Sequence, residues 1–150
     1  FTYAFNNMGR LTDRQRTVFQ SRTKNGPGRE DFTAWHTWHL EPSGDFWNKK
    51  MVVLTDRFTI SAGERAVMAF HTLPNVTIVG DATNGAQSTM IGRELANGWK
   101  YTIATQQVLL SDGRSYEGIG IAPDIQVRND MGELQQGHDR VLERAIQVIE

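Results

Sequence analysis

The chain has 150 residues, 39% hydrophobic and 22% charged, with a net charge of −1 and no cysteine. That is enough for one domain with a buried core. It has no basic excess of the kind nucleic-acid and membrane-surface binders carry, no apolar run long enough to cross a bilayer, and no thiols for disulfides or thiolate metal sites.

The sequence opens at Phe1, without a methionine, in what reads as structured sequence, so a piece of a longer protein is expected. Residues 1–50 are polar and irregular, and read as an N-terminal arm or insertion. Within them Ser21 to Phe32, SRTKNGPGREDF, carries two glycines and a proline and reads as a loop. The partial alternation Phe32, Ala34, then Trp35, Trp38 and Leu40 predicts one or two short edge strands. Trp35, Trp38 and Trp47 also lie here. They either cover part of a core or form a docking surface.

Residues 51–150 are more regular. Met51 to Leu54 is short, aliphatic and bounded by polar residues, which predicts a buried strand. Ser61 to Leu73 predicts a helix, with Ala62, Ala66, Ala69, Phe70 and Leu73 on one stripe and Pro74 to stop it. Val76 to Val79 predicts a second buried strand, ended by Gly80. Strand, helix and strand in about 30 residues make a parallel, right-handed crossover and an α/β class. A polar loop follows, Gly80 to Thr89. Gly98 to Leu110 carries strand signals, with Trp99, Tyr101 and Ile103 alternating with Lys100, Thr102 and Ala104. Asp112-Gly113 centres a turn. Tyr116 to Val127 ends in a short strand, and Asp139 to Glu150 closes the chain as an amphipathic helix.

Ser61 lies where the first strand gives way to the helix. One reading is a helix cap, since Ser61 with Glu64 three residues on has the capping-box pattern. The other is a nucleophile. A serine there can present its hydroxyl to a cleft, the free N–H of Ala62 lies in the positive field of the helix start, and Ala62 and Gly63 leave room for a substrate carbonyl. The loop Gly80–Thr89 leaves the C-terminal edge of a neighbouring strand, the edge where sites in open α/β sheets gather. Thr83, Asn84 and Gly85 are therefore expected to line a substrate cleft beside Ser61.

The stretch VVLTDRFTISAGERAVMAFHTLPNVTIVGDATNGA resembles the catalytic core of the C-terminal processing (tail-specific) serine peptidases. That family has a strand ending LT-N/D-R, a small-Ser-Ala-x-Glu helix, a VVG strand and a G-x-x-T-x-G loop. YEGIGIAPDIQV resembles its E-G-x-G-x-x-P-D-x-x-V segment, and DRVLERAIQVI its closing helix. The match covers about 100 residues from Met51 onward. Residues before Lys50 match loosely and look most like secreted or periplasmic bacterial members. The resemblance implies a crotonase/ClpP-like α/β fold of strand-helix-strand units, Ser61 as nucleophile, Ala62 as an oxyanion donor, a polypeptide substrate and no cofactor or metal.

The family has two catalytic designs. One pairs the serine with a lysine in the loop after the VVG strand, where this chain has Ala86; no lysine occurs between Lys50 and Lys100. The other, tricorn-like, uses Ser, His and Glu, and its glutamate corresponds to Glu117, which would orient the imidazole. That histidine belongs to a segment ahead of the serine domain. None of His36, His39, His71 and His138 matches it: His71 lies about 15 Å along the serine's own helix, and the pair His36 and His39 lacks a third metal ligand. The expectation is thus a serine endopeptidase subdomain, inactive alone, whose base comes from a missing N-terminal part of the same periplasmic or secreted protein. The alternatives are a non-catalytic peptide- or ligand-binding relative and, more remotely, an acyl-CoA enzyme of the crotonase class.

Overall fold

The structure, a computed structural model, describes residues 7–150. After a short 3-10 turn at Gly9–Leu11 the elements are β1 (Arg16–Thr23), β2 (His36–Leu40), β3 (Met51–Thr55), α1 (Ala62–Phe70), β4 (Val76–Gly80), β5 (Met90–Glu94), β6 (Lys100–Ala104), β7 (Gln106–Leu110), β8 (Ile125–Gln126), α2 (Met131–Gln135) and α3 (Arg140–Ile149).

The two aliphatic runs pair in parallel, from Met51 opposite Val76 to Thr55 opposite Gly80, and β8 adds a short parallel pairing to β4. Such short apolar strands need cover on both faces; the expected burial is not complete in β3, which lies at the sheet edge and leaves Leu54 exposed. Ile78, with Val53 and Val76, packs into one core with Val67, Met68 and Ala69 of α1. Val79, the next residue along, points to the opposite face by strand alternation and is fully buried. On that face α3 lies against β3 and β4, burying Val141 and Ala145. The predicted crossover is present, and its helix spans Ala62–Phe70, followed by a turn in which Leu73 donates to Phe70 at 3.0 Å ahead of Pro74.

In the first fifty residues β2 is a short edge strand, as the alternation up to Leu40 predicts, but the strand beside it was not foreseen. β1 is the centre of an antiparallel sheet ordered β2-β1-β7, and Val18, Phe19 and Leu40 belong to the core that α1 covers. Simple alternation hides β1 because Val18 and Phe19 are adjacent and both buried. The pairing with β2 shifts register between Thr17 and Phe19, an irregularity that turns consecutive side chains inward.

The strand signals of Gly98–Leu110 divide at Thr105, whose N–H donates to Thr89 at 2.9 Å and whose carbonyl accepts from Lys24 at 2.8 Å. On one side β6 pairs with β5 in a separate two-stranded ribbon; on the other β7 pairs with β1. The ribbon's Trp99, Tyr101 and Ile103 are exposed.

Candidate active site

The chain leaves β3 at Thr55, a buried residue whose hydroxyl donates to the Asp81 carbonyl at 2.9 Å. This ties the two strand exits together. Asp56 then accepts at one carboxylate oxygen from the N–H groups of Phe58 (2.9 Å) and Thr59 (3.0 Å), an Asx turn that bends the chain back. The bend delivers Ser61 with φ 54° and ψ −110°, the one positive φ outside glycine among the described residues. An ordinary helix cap is extended at this point; Ser61 is not. Its side chain faces the Glu64 backbone in capping-box fashion without a cap hydrogen bond. Ser61 is exposed. The N–H of Ala62, at the first helical position, meets no acceptor among the described residues.

Glu64 is fully buried, and its carboxylate has four donors. Oε1 accepts from the Thr83 hydroxyl at 2.7 Å and the Gly85 N–H at 2.8 Å; Oε2 accepts from Ala86 N–H at 3.0 Å and Ser61 N–H at 3.2 Å. One buried side chain thus latches the loop to the serine's helix. A buried charge persists only where such bonds replace its water.

The loop is held from a second side by residues 118–121. Gly118 donates to the Gly85 carbonyl at 2.7 Å, and Thr83 exchanges bonds with Ile121, through its N–H at 3.0 Å and its hydroxyl at 2.8 Å. Gly85 has φ 84°, and a Cβ there would stand 2.7 Å from the amide nitrogens of Ile119 and Gly120. Glycine is required both by the left-handed backbone and by the close approach.

The loop therefore lies beside Ser61, as the topology implies. Of its three expected contact residues, Thr83 is buried with its hydroxyl committed inward, and Gly85 is buried with N–H and carbonyl both bonded. Asn84 alone is exposed; its amide donates to the Arg57 carbonyl at 3.0 Å. The loop also borders a cleft of about 570 Å³ between Asp56–Phe58, Asp81–Thr83 and Val127–Asn129, and Ser61 does not line it.

Glu117 is fixed at the other end of the loop. Its Oε2 accepts from the N–H groups of Gln87 at 2.8 Å and Ser88 at 3.0 Å, while Oε1 has no partner among the described residues. Ahead of it the Tyr116 hydroxyl donates to Asp112 at 2.7 Å. The Arg114 N–H and then this hydroxyl hold the Asp112 carboxyl below its usual range, and the same bond pushes the Tyr116 phenol up.

Two neighbours escaped the sequence reading as site residues. Arg65, 5% exposed, donates to the Gln87 carbonyl and to Gln106 Oε1, both at 2.8 Å, and stacks on the Phe19 ring at 4.3 Å. Burial pushes its guanidinium down to about 10, against the opposing pull of Glu117 and then Glu64. Gln87 is 2% exposed, and neither of its side-chain amide atoms has a partner among the described residues. The signal for Arg65 was spacing: four residues after Ser61 and three before buried Met68, it falls on one face with both.

None of the four histidines contacts Ser61 or Glu117 among the described residues. His36 meets Trp38 edge-on at 4.7 Å, His39 pairs with the Thr17 hydroxyl at 3.3 Å, His71 ends α1, and His138 lies 3.8 Å from Glu143.

The layered sheets and the serine-bearing elbow make this an α/β peptidase-domain fold. The profile of peptidase family S41 matches residues 1–127, and the chain belongs to that family. It is similar to the crystal structure of a peptidase candidate from Parabacteroides merdae, at 30% identity and TM-score 0.86, covering 98% of this chain and 47% of that one. It shares its fold with mature CPAF complexed with lactacystin (13% identity, TM-score 0.77, 98% and 40% covered). The same holds for the tricorn protease (18%, TM-score 0.61, 99% and 14% covered). The chain spans less than half the length of each of these structures. No helix among the described residues is long and apolar enough to cross a membrane.

Proposed function

We propose that this chain is the serine-bearing part of an endopeptidase acting on polypeptides, with Ser61 as nucleophile and Ala62 N–H as an oxyanion donor. The observation that carries the reading is the Ser61 backbone. A non-glycine residue at φ 54° and ψ −110° is strained, and strain of this kind at a strand-to-helix turn presents a serine hydroxyl to solvent, here with no cap hydrogen bond to hold it. The Glu64 latch supplies the rigidity that keeps the strain in place.

Glu117 is the orienting carboxylate. Its Oε2 is committed to two backbone donors, which leaves Oε1 to accept from an imidazole N–H. That orients the ring and stabilises its charged form. The imidazole comes from a segment outside these 150 residues; with Ala86 at the lysine position of the dyad design, no amine of the loop can serve as base. Asn84, exposed beside the serine, contacts the substrate. Secretion or a periplasmic location accords with the resemblance of the N-terminal region to exported bacterial members.

A fluorophosphonate probe tests the reading. A longer protein that includes the histidine should label at Ser61, its Ser61→Ala variant should not, and the 150-residue chain should label weakly, because a serine hydroxyl without a base is a poor nucleophile. Full peptidase activity in the Ser61→Ala protein would remove Ser61 as nucleophile. Brisk labelling of the short chain would place a base within it.

A further inference from the structure

We propose that Arg65 is the positioning residue for Glu117, and that its charge sets the lower pH limit of the site. The inference rests on the function proposed above and adds a residue to it. Gln87 is the bridge. Its carbonyl accepts from Arg65 at 2.8 Å, and its N–H donates to Glu117 at 2.8 Å. Gln106 anchors the same assembly, accepting from Arg65 at 2.8 Å while its own N–H donates to the Ser88 hydroxyl at 2.9 Å. Ser88 in turn gives its N–H to Glu117. Both donors that aim the Glu117 carboxylate thus belong to a segment that Arg65 clamps. Arg65 is itself tied to the nucleophile, since its N–H donates to the Ser61 carbonyl at 3.1 Å.

A purely structural role accounts poorly for this residue. Among the described residues its Nε is buried without an acceptor, and its guanidinium has no carboxylate within ion-pair distance. A well-packed apolar side chain would cost less to bury. What an apolar side chain cannot supply is a fixed positive charge. The charges acting on the guanidinium are Glu117 and then Glu64; Glu64 is already satisfied by four donors, and Glu117 keeps one oxygen open. Phe19 beneath the guanidinium and the two acceptors ahead of it hold the cation in one place.

A cation fixed beside a carboxylate–imidazole pair disfavours the imidazolium. It therefore lowers the pH above which the imidazole is free to act as base. The test follows the second-order rate of fluorophosphonate labelling against pH in the longer protein, for wild type, Ser61→Ala, Arg65→Met and Arg65→Lys. Arg65→Met should lose about 10- to 100-fold in rate, since a misplaced orienting group is costly. Its acidic limb should also move up by about half a pH unit. Arg65→Lys keeps the charge, but both acceptors are reached by the one nitrogen Nη2, and the lysine Nζ stands about one bond short of it and cannot stack on Phe19 as a planar group does, so its rate should fall while its limb stays at the wild-type pH. An unmoved limb in Arg65→Met, or a wild-type rate in Arg65→Lys, overturns the proposal. Should Arg65→Met fail to fold in a thermal melt, Arg65→Lys decides: a reduced rate with an unmoved limb supports the role, and a shifted limb or full rate refutes it. Labelling that persists in Ser61→Ala refutes the nucleophile assignment instead, so the two failures are distinct.

Discussion

Ser61 and Ala86 present their backbone N–H groups to the same atom, Oε2 of Glu64, at 3.2 and 3.0 Å. The strained serine and the loop beside it are thus positioned by one buried charge. Glu64→Gln keeps the shape but turns one acceptor oxygen into an NH₂ group, which then faces two donors whichever way the amide is flipped. The expected loss is about 2–4 kcal/mol of folding stability, the range for breaking a buried charged network. Urea unfolding measures it, and hydrogen exchange at Gly85 and Ala86 should rise in parallel. An unchanged unfolding midpoint would mean that the latch contributes nothing.

The same relationship makes Ala86 a site where a base can be introduced. An amine there, on a backbone already hydrogen-bonded to the atom that holds Ser61, has the serine within side-chain reach. Ala86→Lys in the 150-residue chain should raise fluorophosphonate labelling by about 10²-fold at pH 9, the scale of a positioned general base. Adding Ser61→Ala should abolish the gain. No gain at any pH up to 10 would show that the loop aims this position away from the hydroxyl.

How much of this could be read beforehand depended on how far each signal was local. The crossover was legible because Met51–Leu54 and Val76–Val79 are unbroken aliphatic runs around a helix with a clear stripe, and Ser61 because it lies at their junction. β1 was not, since the register shift at Thr17/Phe19 puts adjacent Val18 and Phe19 inside and erases the period of two. Nor was the division at Thr105, which depends on partners as distant as Lys24 and Thr89. At the site, Glu64 read as a cap residue because its bond to Ser61 is local; its bonds to Thr83, Gly85 and Ala86 reach across 19 to 22 residues. Thr83 read as a cleft residue for the converse reason: nothing in its own segment indicates that Ile121 and Glu64 occupy its hydroxyl.

The turn ahead of Glu117 gives a pH signature. Asp112 is held below its ordinary range by the Arg114 N–H and the Tyr116 hydroxyl, so its contribution is present above the unfolded carboxylate pKa, about 3.9. It is lost as pH falls through the lower folded value. Tyr116 is raised, chiefly by Asp112. Its contribution is present below about pH 10 and is lost as pH rises through the higher folded value. Tyr116→Phe should therefore cost a roughly constant amount between pH 5 and 9, under about 1 kcal/mol because the pair is solvent-screened. The difference from wild type should narrow at both extremes. Urea titrations at pH 3, 7 and 11 test this; a gap that widens at pH 3 contradicts the pairing.

Gly85→Ala probes the contact between the loop and residues 118–121. Its backbone at φ 84° already disfavours a Cβ, and the new atom would stand 2.7 Å from two backbone nitrogens that cannot move independently. Left-handed strain of about 1–2 kcal/mol adds to the displacement of packed backbone, so a total loss of about 3 kcal/mol is expected by urea unfolding. A cost below about 1 kcal/mol would show that this contact is loose.

Glu117→Gln separates the two oxygens of the carboxylate proposed to orient the imidazole. Gln87 and Ser88 present N–H donors at 2.8 and 3.0 Å to one side of it, so in the variant the amide oxygen must turn to them. The NH₂ group is then forced to the open side, where an imidazole N–H would arrive. Donor meets donor, and the ring is pushed toward the wrong tautomer; if the amide flips instead, the two backbone donors lose their acceptor. Neither arrangement serves catalysis. The longer protein should keep its fold and lose about 10⁴-fold in kcat, the cost of the corresponding substitution in a serine triad, with less effect on KM. Ser61→Ala should cost more, because it removes the bond-forming atom itself. A steady-state assay with a fluorogenic peptide reads both. A Glu117→Gln protein within tenfold of wild type would leave Glu117 as a brace for the Gln87–Ser88 segment, and the orienting carboxylate would have to be sought elsewhere.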